Sequence, residues 1–352
     1  MAIGVILLNF GEPEQPTEEV VVPFLERIFM TNASLEGDVT EEQARARSRA
    51  LALERAPGLI EEYLEIGGSP LNRQAAEQAE ALAAELARRG VAARTYVGMQ
   101  FADPLIRSAV ERARADGVER LVGLPVYPLC GPSTTVAALA DLRAQVGALG
   151  WAVDVVEITG WHRHPAYTAL RAEGIRRTVA ENGLDLADGR TRLVFSVHGT
   201  PMRYIEEGSR YVQYAEESCR AIAAAVGAPG YDIGYQNHTN RPIAWTQPDI
   251  EAVIDAVDAE HVVVVPVSFM HEQSETLAEL DVELREAAEA RGLGFHRVPV
   301  PHDDARFIAL LADLVQAATG EGGAALPALA PCACRGAAGA LCLNRGGAHD
   351  AA

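Results

Sequence analysis

The sequence lacks an excess of positive charge, and this absence excludes a whole class of partner. The 352 residues include 30 Lys and Arg against 49 Asp and Glu, so the net charge is −19 at pH 7. Proteins that bind nucleic acid neutralise its phosphates with clustered Lys and Arg, and the sequence has no such basic patch. We therefore expect no nucleic acid partner, and an anionic membrane surface is an unattractive one.

Long apolar runs and a secretory signal are also lacking. No segment reaches the roughly 18 to 20 apolar residues that a membrane span requires. The apolar start of the chain, MAIGVILLNFGEPEQ, has no basic residue before it and no small-residue cleavage site, so we interpret it as a buried strand. The expected location is cytoplasmic, with peripheral contact at the inner membrane left open.

Cysteine is scarce, and its distribution is uneven. Five cysteines occur, and three of them, Cys332, Cys334 and Cys342, have the spacing C-x-C-x7-C in an Ala-, Gly- and Pro-rich tail. An odd number of cysteines without a secretory signal favours reduced thiols or metal ligands over disulfides. Two interpretations stay open, an unstructured tail with incidental cysteines or a set of metal ligands.

What the sequence does contain is a regular alternation of strand and helix patterns. Short runs rich in Val, Ile and Leu recur with helical segments between them, which predicts a parallel sheet covered by helices and hence an α/β fold. The predicted strands are residues 4–10, 93–97, 120–127, 153–159, 192–198, 232–236, 261–269 and 295–300.

The second half of the chain repeats the first. VILLNFGEP resembles RLVFSVHGTP, YVGMQF resembles DIGYQN, and RLVGLPVYPLCGPSTTVAAL resembles HVVVVPVSFMHEQSETLAEL, in the same order. This predicts two similar doubly wound Rossmann-like halves with an active-site cleft between them. The expected domains are residues 1–150 joined by a C-terminal helix at 303–319, residues 151–302, and the tail 320–352.

Two residues differ between the repeats where a site is expected. His198 lies opposite Phe10, and Glu275 lies opposite Thr134. His198 ends a predicted strand and Glu275 begins a helix after one, and open α/β sheets bind ligands at such strand ends. The alternative for His198 is a structural histidine at a strand end. Glu275, Glu279 and Glu283 are spaced four residues apart, and the alternative for them is a solvated helix face.

Six motifs, taken together, resemble the ferrochelatases from about Gly4 to Ala318. They are LLNFGEPE, GGSPLNRQ, YVGMQFADP, YPLCGPSTT, SVHGTPMRYIEEGSRY and PVSFMHEQSETLAELD, in that order. The resemblance implies a two-domain chelatase fold that clamps a porphyrin and inserts ferrous iron into it in haem synthesis, an enzymatic lyase reaction. Protoporphyrin IX and coproporphyrin III both remain possible substrates.

The resemblance also implies roles for individual residues. His198 and Glu275 would be catalytic and would face each other across the macrocycle, contacting the substrate iron, and Glu279 and Glu283 would continue an acidic path for iron. The implied porphyrin contacts are Phe10, Gln100, Phe101, Ser133, Thr134 and Trp245. The chain departs from the family at Gln100 and Phe101, where an Arg-Tyr pair often stands, and at Glu272 and Gln273, which replace Asp-His.

The chemistry of metal insertion requires such residue types. Two pyrrole protons must leave while a divalent cation enters, so the site needs a neutral base and anionic oxygens that displace water from iron. A cobalt or nickel chelatase of a sirohydrochlorin-like ring is an alternative, although paired histidines would suit it better. A non-catalytic haem or porphyrin carrier is another, but it would not require His198 with Glu275.

The resemblance also suggests functions for the cysteines and for one apolar segment. Some ferrochelatases hold a [2Fe–2S] cluster with three C-terminal cysteines and one from the body of the chain, which here implies Cys332, Cys334 and Cys342 with a fourth ligand from Cys130 or Cys219. Cys130 lies within two residues of the family position and is the preferred candidate. The apolar segment 20–31 is expected to form a lip at the cleft mouth, where it could contact a membrane or a haem-pathway protein.

Overall fold

The computed structural model describes residues 2–36, 40–237, 243–321, 328–332, 334–335 and 337–343. The chain divides into two compact units. One comprises Met1–Trp161 with Ile308–Ala352, and the other comprises His162–Phe307. The sequence analysis placed the first of these boundaries near residue 150.

Every predicted strand is present, and two short strands in the tail were not predicted. The strands are β1 (Ile3–Asn9), β2 (Ala93–Met99), β3 (Arg120–Pro125), β4 (Asp154–Ile158), β5 (Thr191–His198), β6 (Tyr231–Gln236), β7 (His261–Pro266), β8 (Gly294–Arg297), β9 (Ala330–Pro331) and β10 (Ala340–Cys342). Strand ends differ from the prediction by up to three residues: β3, β7 and β8 end earlier than their apolar patterns, whereas β2 continues to Met99.

The first unit contains a sheet in the order β2-β1-β3-β4-β10-β9. All its pairings are parallel except that of β9 with β10. β1 lies between β2 and β3 and every one of its residues is buried, which explains the apolar run IGVILL that precedes Asn9. Parallel pairing brings the carboxyl ends of β1, β2 and β3 to one edge of the sheet.

The second unit repeats this arrangement. Its sheet has the order β6-β5-β7-β8 with parallel pairing throughout, so β5, β6, β7 and β8 occupy the positions of β1, β2, β3 and β4. The register pairs His198 with Gln236 and Ser196 with Pro266. The predicted fold class, two parallel α/β halves of similar topology, is confirmed.

Helices cover both sheets. In chain order they are α1 (Glu18–Thr31), α2 (Glu41–Glu65), α3 (Leu71–Arg88), α4 (Ile106–Ala115), α5 (Ala137–Ala148), α6 (Pro165–Glu181), α7 (Met202–Glu206), α8 (Tyr211–Val226), α9 (Ile250–Ala256), α10 (Ser274–Leu277), α11 (Arg285–Ala290) and α12 (Ala305–Thr319). Two wide π-helical turns, Pro132–Val136 and Glu279–Leu284, lie at corresponding places after β3 and β7.

The segment 20–31 lies in α1 and is less exposed than its sequence suggests. Val21, Val22, Phe24, Leu25 and Phe29 are buried in a core formed with α2. In the described part of the chain, the exposed large apolar side chains are those of Val20, Leu53 and Leu64. Contact of this segment with a membrane or partner stays a prediction, and its buried apolar side chains face α2 rather than solvent.

The described residues include no helix that is both long enough and apolar enough to cross a membrane.

Candidate active site

His198 and Glu275 come together in the second unit. His198 is the last residue of β5, and Glu275 lies in the first turn of α10, which follows β7 after a short loop. Nδ1 of His198 lies 3.0 Å from Oε1 of Glu275, and the two side chains are 24% and 17% exposed. β5 and β7 are adjacent parallel strands, so their ends lie side by side and bring an imidazole and a carboxylate into contact.

The main chain of His198 is held on both sides by one pair of hydroxyl groups. Its N–H donates to Oγ of Ser268 at 2.9 Å, and its carbonyl accepts from the Tyr211 hydroxyl at 3.1 Å. The two hydroxyls are themselves 3.1 Å apart. Burial raises the pKa of Tyr211, so the phenol stays protonated and able to donate. Ser268 belongs to the loop that leads to Glu275, so this network attaches the end of β5 to that loop.

A close main-chain approach follows His198. The N–H of Gly199 donates to the carbonyl of Gln236 at 2.7 Å. A Cβ at Gly199 would lie 2.7 Å from that same oxygen, which no real side chain tolerates. The glycine of the HGTP motif is therefore required by packing between the ends of β5 and β6, and it lets His198 stand at the strand terminus.

The carboxylate of Glu275 has a second partner. The side-chain amide of Gln273, which is buried, donates to Oε2 of Glu275 at 2.5 Å. Each oxygen of the carboxylate thus has a separate neighbour, imidazole on one side and amide on the other. Gln273 is thus one of the residues that hold the Glu275 carboxylate in place.

Gln236 is a site residue that the sequence analysis missed. Its Nε2 donates to Oε2 of Glu279 at 2.9 Å and to the carbonyl of Glu275 at 2.8 Å, while its Oε1 accepts from the buried Ser196 hydroxyl at 2.6 Å. The signal was available in the internal repeat, because DIGYQN matches YVGMQF and so places Gln236 opposite Gln100. Only the copy in the first half was selected.

The three glutamates do not form a uniform helical ladder. α10 ends at Leu277, and Glu279 begins the wide turn Glu279–Leu284, in which the N–H of Glu283 reaches back five residues to the carbonyl of Ala278 at 3.0 Å. Glu279 is half-buried and Glu283 is exposed. The carboxylates therefore run from a shielded position at Glu275 to solvent at Glu283.

Glu272 serves the scaffold of this loop. It accepts from the Arg297 guanidinium at 3.0 Å, from the Val300 N–H at 2.9 Å and from the Thr276 hydroxyl at 2.7 Å. Arg297 also binds Asp281 in the wide turn, with its shortest contact at 2.6 Å. Arg297 is therefore an ionic bridge between the loop before α10 and the turn after it.

Two of the predicted porphyrin contacts meet in the first unit. Gln100 follows β2, and its amide donates to the carbonyl of Ser133 at 3.2 Å while its Oε1 accepts from the Tyr127 hydroxyl at 3.1 Å. Ser133 and Thr134 lie in the wide turn Pro132–Val136. A polar cluster thus occupies the carboxyl ends of β2 and β3, the edge at which ligands of such sheets bind.

The two predicted aromatic contacts of the first unit pack against each other. The rings of Phe10 and Phe101 lie edge to face with centroids 4.6 Å apart, and Phe24 of α1 lies 6.2 Å from Phe10. Phe101 is buried, whereas Phe10 is only partly so. A ring-binding role is thus easier to reconcile with Phe10 than with Phe101, and both roles stay predictions.

Trp245 lies in the second unit beside the segment that follows His198. It forms a main-chain bridge with Pro201, and the N–H of Thr246 donates to the carbonyl of Thr200 at 3.1 Å. The structure thus joins the Trp245 region to the HGTP motif, although the two are far apart in sequence. Its contact with a porphyrin stays a prediction.

Four of the cysteines lie in the first unit, and Cys219 is buried in α8 of the second. The side chains of Cys334 and Cys342 form hydrogen bonds with the thiol of Cys332, and these hydrogen bonds hold the pKa of Cys332 well below its usual range. Burial raises the pKa of Cys130 to about 12, and the nearby Cys332 adds to the rise. Among the described residues, however, no group of three or more His, Cys, Asp or Glu side chains is arranged to hold a metal ion.

The fold and the site together define a chelatase-type α/β protein, with two parallel sheets of equivalent strand order and an imidazole–carboxylate pair at a strand end. The structure of SirB from Bacillus subtilis with Fe3+ has the same fold, with a TM-score of 0.54, 9% sequence identity, and coverage of 90% of this chain and 95% of that one.

The chain belongs to the ferrochelatase family, whose model matches residues 2–319. It is 37% identical to the ferrochelatase of Synechococcus sp. strain JA-2-3B'a(2-13) over 340 residues, covering 94% of this chain and 96% of the relative. It is 34% identical to that of Gloeobacter violaceus over 323 residues, covering 89% and 96%. Family membership confirms the resemblance inferred from the six motifs.

Proposed function

We propose that this protein inserts ferrous iron into a porphyrin, protoporphyrin IX or coproporphyrin III, and releases two protons. The family membership supports the type of reaction. The observation that carries the proposal is the contact of 3.0 Å between Nδ1 of His198 and Oε1 of Glu275 at the ends of adjacent strands. A base and an anion side by side are what removal of pyrrole protons requires.

His198 is proposed to accept a pyrrole proton. A neutral imidazole is a competent base near neutral pH, and the carboxylate of Glu275 stabilises the imidazolium that forms. Because Nδ1 faces Glu275, Nε2 is the ring nitrogen assigned to the porphyrin. Gln273 keeps the carboxylate turned toward the imidazole by binding its other oxygen.

The remaining carboxylates are proposed to receive the iron. Carboxylate oxygens are hard ligands that replace the water of a hydrated ferrous ion. Glu283 is exposed, whereas Glu279 and Glu275 are half-buried and Glu275 contacts His198, so the carboxylates lead from solvent toward the imidazole. Iron would pass from Glu283 through Glu279 to Glu275 and into the ring.

The porphyrin contacts implied by the resemblance belong to the same proposal. Gln100 and Ser133 form one polar cluster, which suits the polar edge of a macrocycle. Phe10 offers an apolar ring that packs on Phe101, and Thr134 and Trp245 complete the set. Gln100 cannot form the ionic bonds to propionates that an arginine forms, so binding of the ring would depend more on apolar contact.

An absorbance assay with Fe2+ and free porphyrin, without oxygen, tests the proposal. We expect the free-porphyrin bands to give way to those of the metallated ring. Preferential metallation by Co2+ or Ni2+ of a sirohydrochlorin-like ring would support the alternative chelatase. Tight porphyrin binding without metallation would indicate a carrier, and both outcomes would contradict the proposal.

We further propose that Cys130, Cys332, Cys334 and Cys342 hold a [2Fe–2S] cluster. The residues fit in kind, because four thiols are what such a cluster needs, and Cys332 contacts Cys334 and Cys342 and lies near Cys130. Their arrangement is not that of a metal site, so binding would require these residues to rearrange. When bound, the cluster would cross-link the tail to the body of the first unit.

A further inference from the structure

The tail adds a strand to the free edge of β4. β10 pairs with β4 in parallel register, Ala340 with Glu157 and Leu341 with Ile158. The N–H groups of Glu157 and Thr159 donate to the carbonyls of Gly339 and Leu341 at 2.9 and 2.8 Å. The tail therefore protects an edge that would otherwise present unpaired main-chain groups.

Glu157 is the unusual residue on this edge. Its side chain is fully buried, and a buried carboxylate is costly unless it is paired. Arg335 of the tail forms a two-pronged contact with it, at 2.5 and 3.1 Å, and Arg143 of α5 binds the same carboxylate. One of the two cations that neutralise Glu157 thus comes from the tail.

The other cation also holds the tail. Nη2 of Arg143 donates to the carbonyl of Ala338 at 2.6 Å, so this guanidinium joins Glu157 to the tail main chain. Gly339 follows with a φ of +80°, and a Cβ there would lie 2.6 Å from the carbonyl of Val155. Only glycine permits this close approach in that conformation, which explains how the chain turns directly into β10.

The same strand pairing also fixes the chain at two of the cysteines. The N–H of Cys332 donates to the carbonyl of Ala340 at 2.8 Å, and Cys342 is the buried last residue of β10. Arg335 lies between Cys334 and β10 in the sequence. The ionic contacts of Glu157 and the strand pairing therefore act on the same short segment that carries the three thiols.

We propose that Glu157, with Arg335 and Arg143, is the latch that docks the tail on β4 and gathers the cysteines before any metal binds. The part that concerns metal rests on the proposed cluster, whereas the docking does not. Breaking a buried ion pair leaves an uncompensated charge in the interior, so either partner's loss should release the tail.

Hydrogen exchange on the full chain tests the latch, read on peptides from β4 and residues 337–343. In the Glu157→Gln and Arg335→Gln variants, the backbone amides of these peptides should exchange at least about tenfold faster than in the unchanged protein. Asp154→Asn is the matched control, because Asp154 lies on the same strand but pairs with Arg120 at 2.7 Å. Arg335→Gln alters only the tail side, so it remains informative if Glu157→Gln fails to fold.

A cluster-free variant separates the latch from the metal. Cys334→Ser, which changes the exposed cysteine, should retain the protection of β4 and the tail, while Arg335→Gln should lower both protection and the iron and acid-labile sulfide per chain. The proposal would be overturned if Cys334→Ser lost the protection against hydrogen exchange, or if Glu157→Gln and Arg335→Gln both kept it. Absence of iron and sulfide from the unchanged protein would refute the cluster, and the exchange comparison would still decide the latch.

Discussion

The hydroxyl of Tyr211 donates a hydrogen bond of 3.1 Å to the main-chain carbonyl of His198. We expect Tyr211→Phe to lower kcat by about tenfold while KM changes little, because a misplaced base affects proton transfer more than binding. Tyr167→Phe is the control, since it removes an equally buried hydroxyl that bonds to Val267 at 2.9 Å. Equal losses of kcat in the two variants would indicate a general loss of stability.

His198→Ala should abolish metallation by at least about 10²-fold while the protein still folds, because the residue ends a strand and is partly exposed. Turnover with Fe2+ and porphyrin measures the loss, and thermal unfolding checks the fold. His296→Ala, at a half-buried histidine of β8, should retain activity. Near-native turnover in His198→Ala would make that histidine structural.

Glu275→Gln should impair metallation far more than Glu283→Gln, since Glu275 contacts the imidazole and Glu283 is exposed. The amide keeps the size of the side chain but cannot stabilise an imidazolium. Porphyrin binding, followed by fluorescence quenching, should persist in both variants. Small and equal effects on turnover would mean that the carboxylates form only a solvated surface.

His271 should make stability fall in mild acid. Burial, followed by the charge of His302, lowers its pKa from 6.5 to about 3, so the unfolded chain takes up a proton that the folded chain refuses. The free energy of unfolding is then not lowered by His271 above pH 6.5, and below pH 6.5 it falls by at most about 1.4 kcal/mol per pH unit. Urea unfolding between pH 7 and pH 5 measures the slope, and His271→Gln should flatten it. An unchanged slope would place the dependence on other groups.

The proposed cluster predicts a coloured protein. Replacing Cys130, Cys332, Cys334 or Cys342 by Ser should remove visible absorption and iron together, because a [2Fe–2S] centre needs four thiolates. Cys219→Ser should leave both unchanged, since that thiol is buried in α8 of the other unit. A colourless protein without sulfide, purified without oxygen, would contradict the cluster.

Much of the fold was predictable because it depends on short-range patterns. Apolar runs such as HVVVVP mark strands that are buried on both faces, and the repeat predicted that the two halves share one topology. His198 and Glu275 stood out because one ends a strand, the other begins the helix after a strand, and both differ between the repeats.

The sequence by itself determined the two parallel halves and the family, and it singled out the two principal candidate residues, since motifs along the chain carry that information. Only the tertiary structure decided which side chains support them. Gln236 with Glu279, and Arg335 with Glu157, are 43 and 178 residues apart. Such pairs depend on strand order and register, which no local pattern encodes. Strand order and register therefore determine which groups form hydrogen bonds with a buried polar side chain.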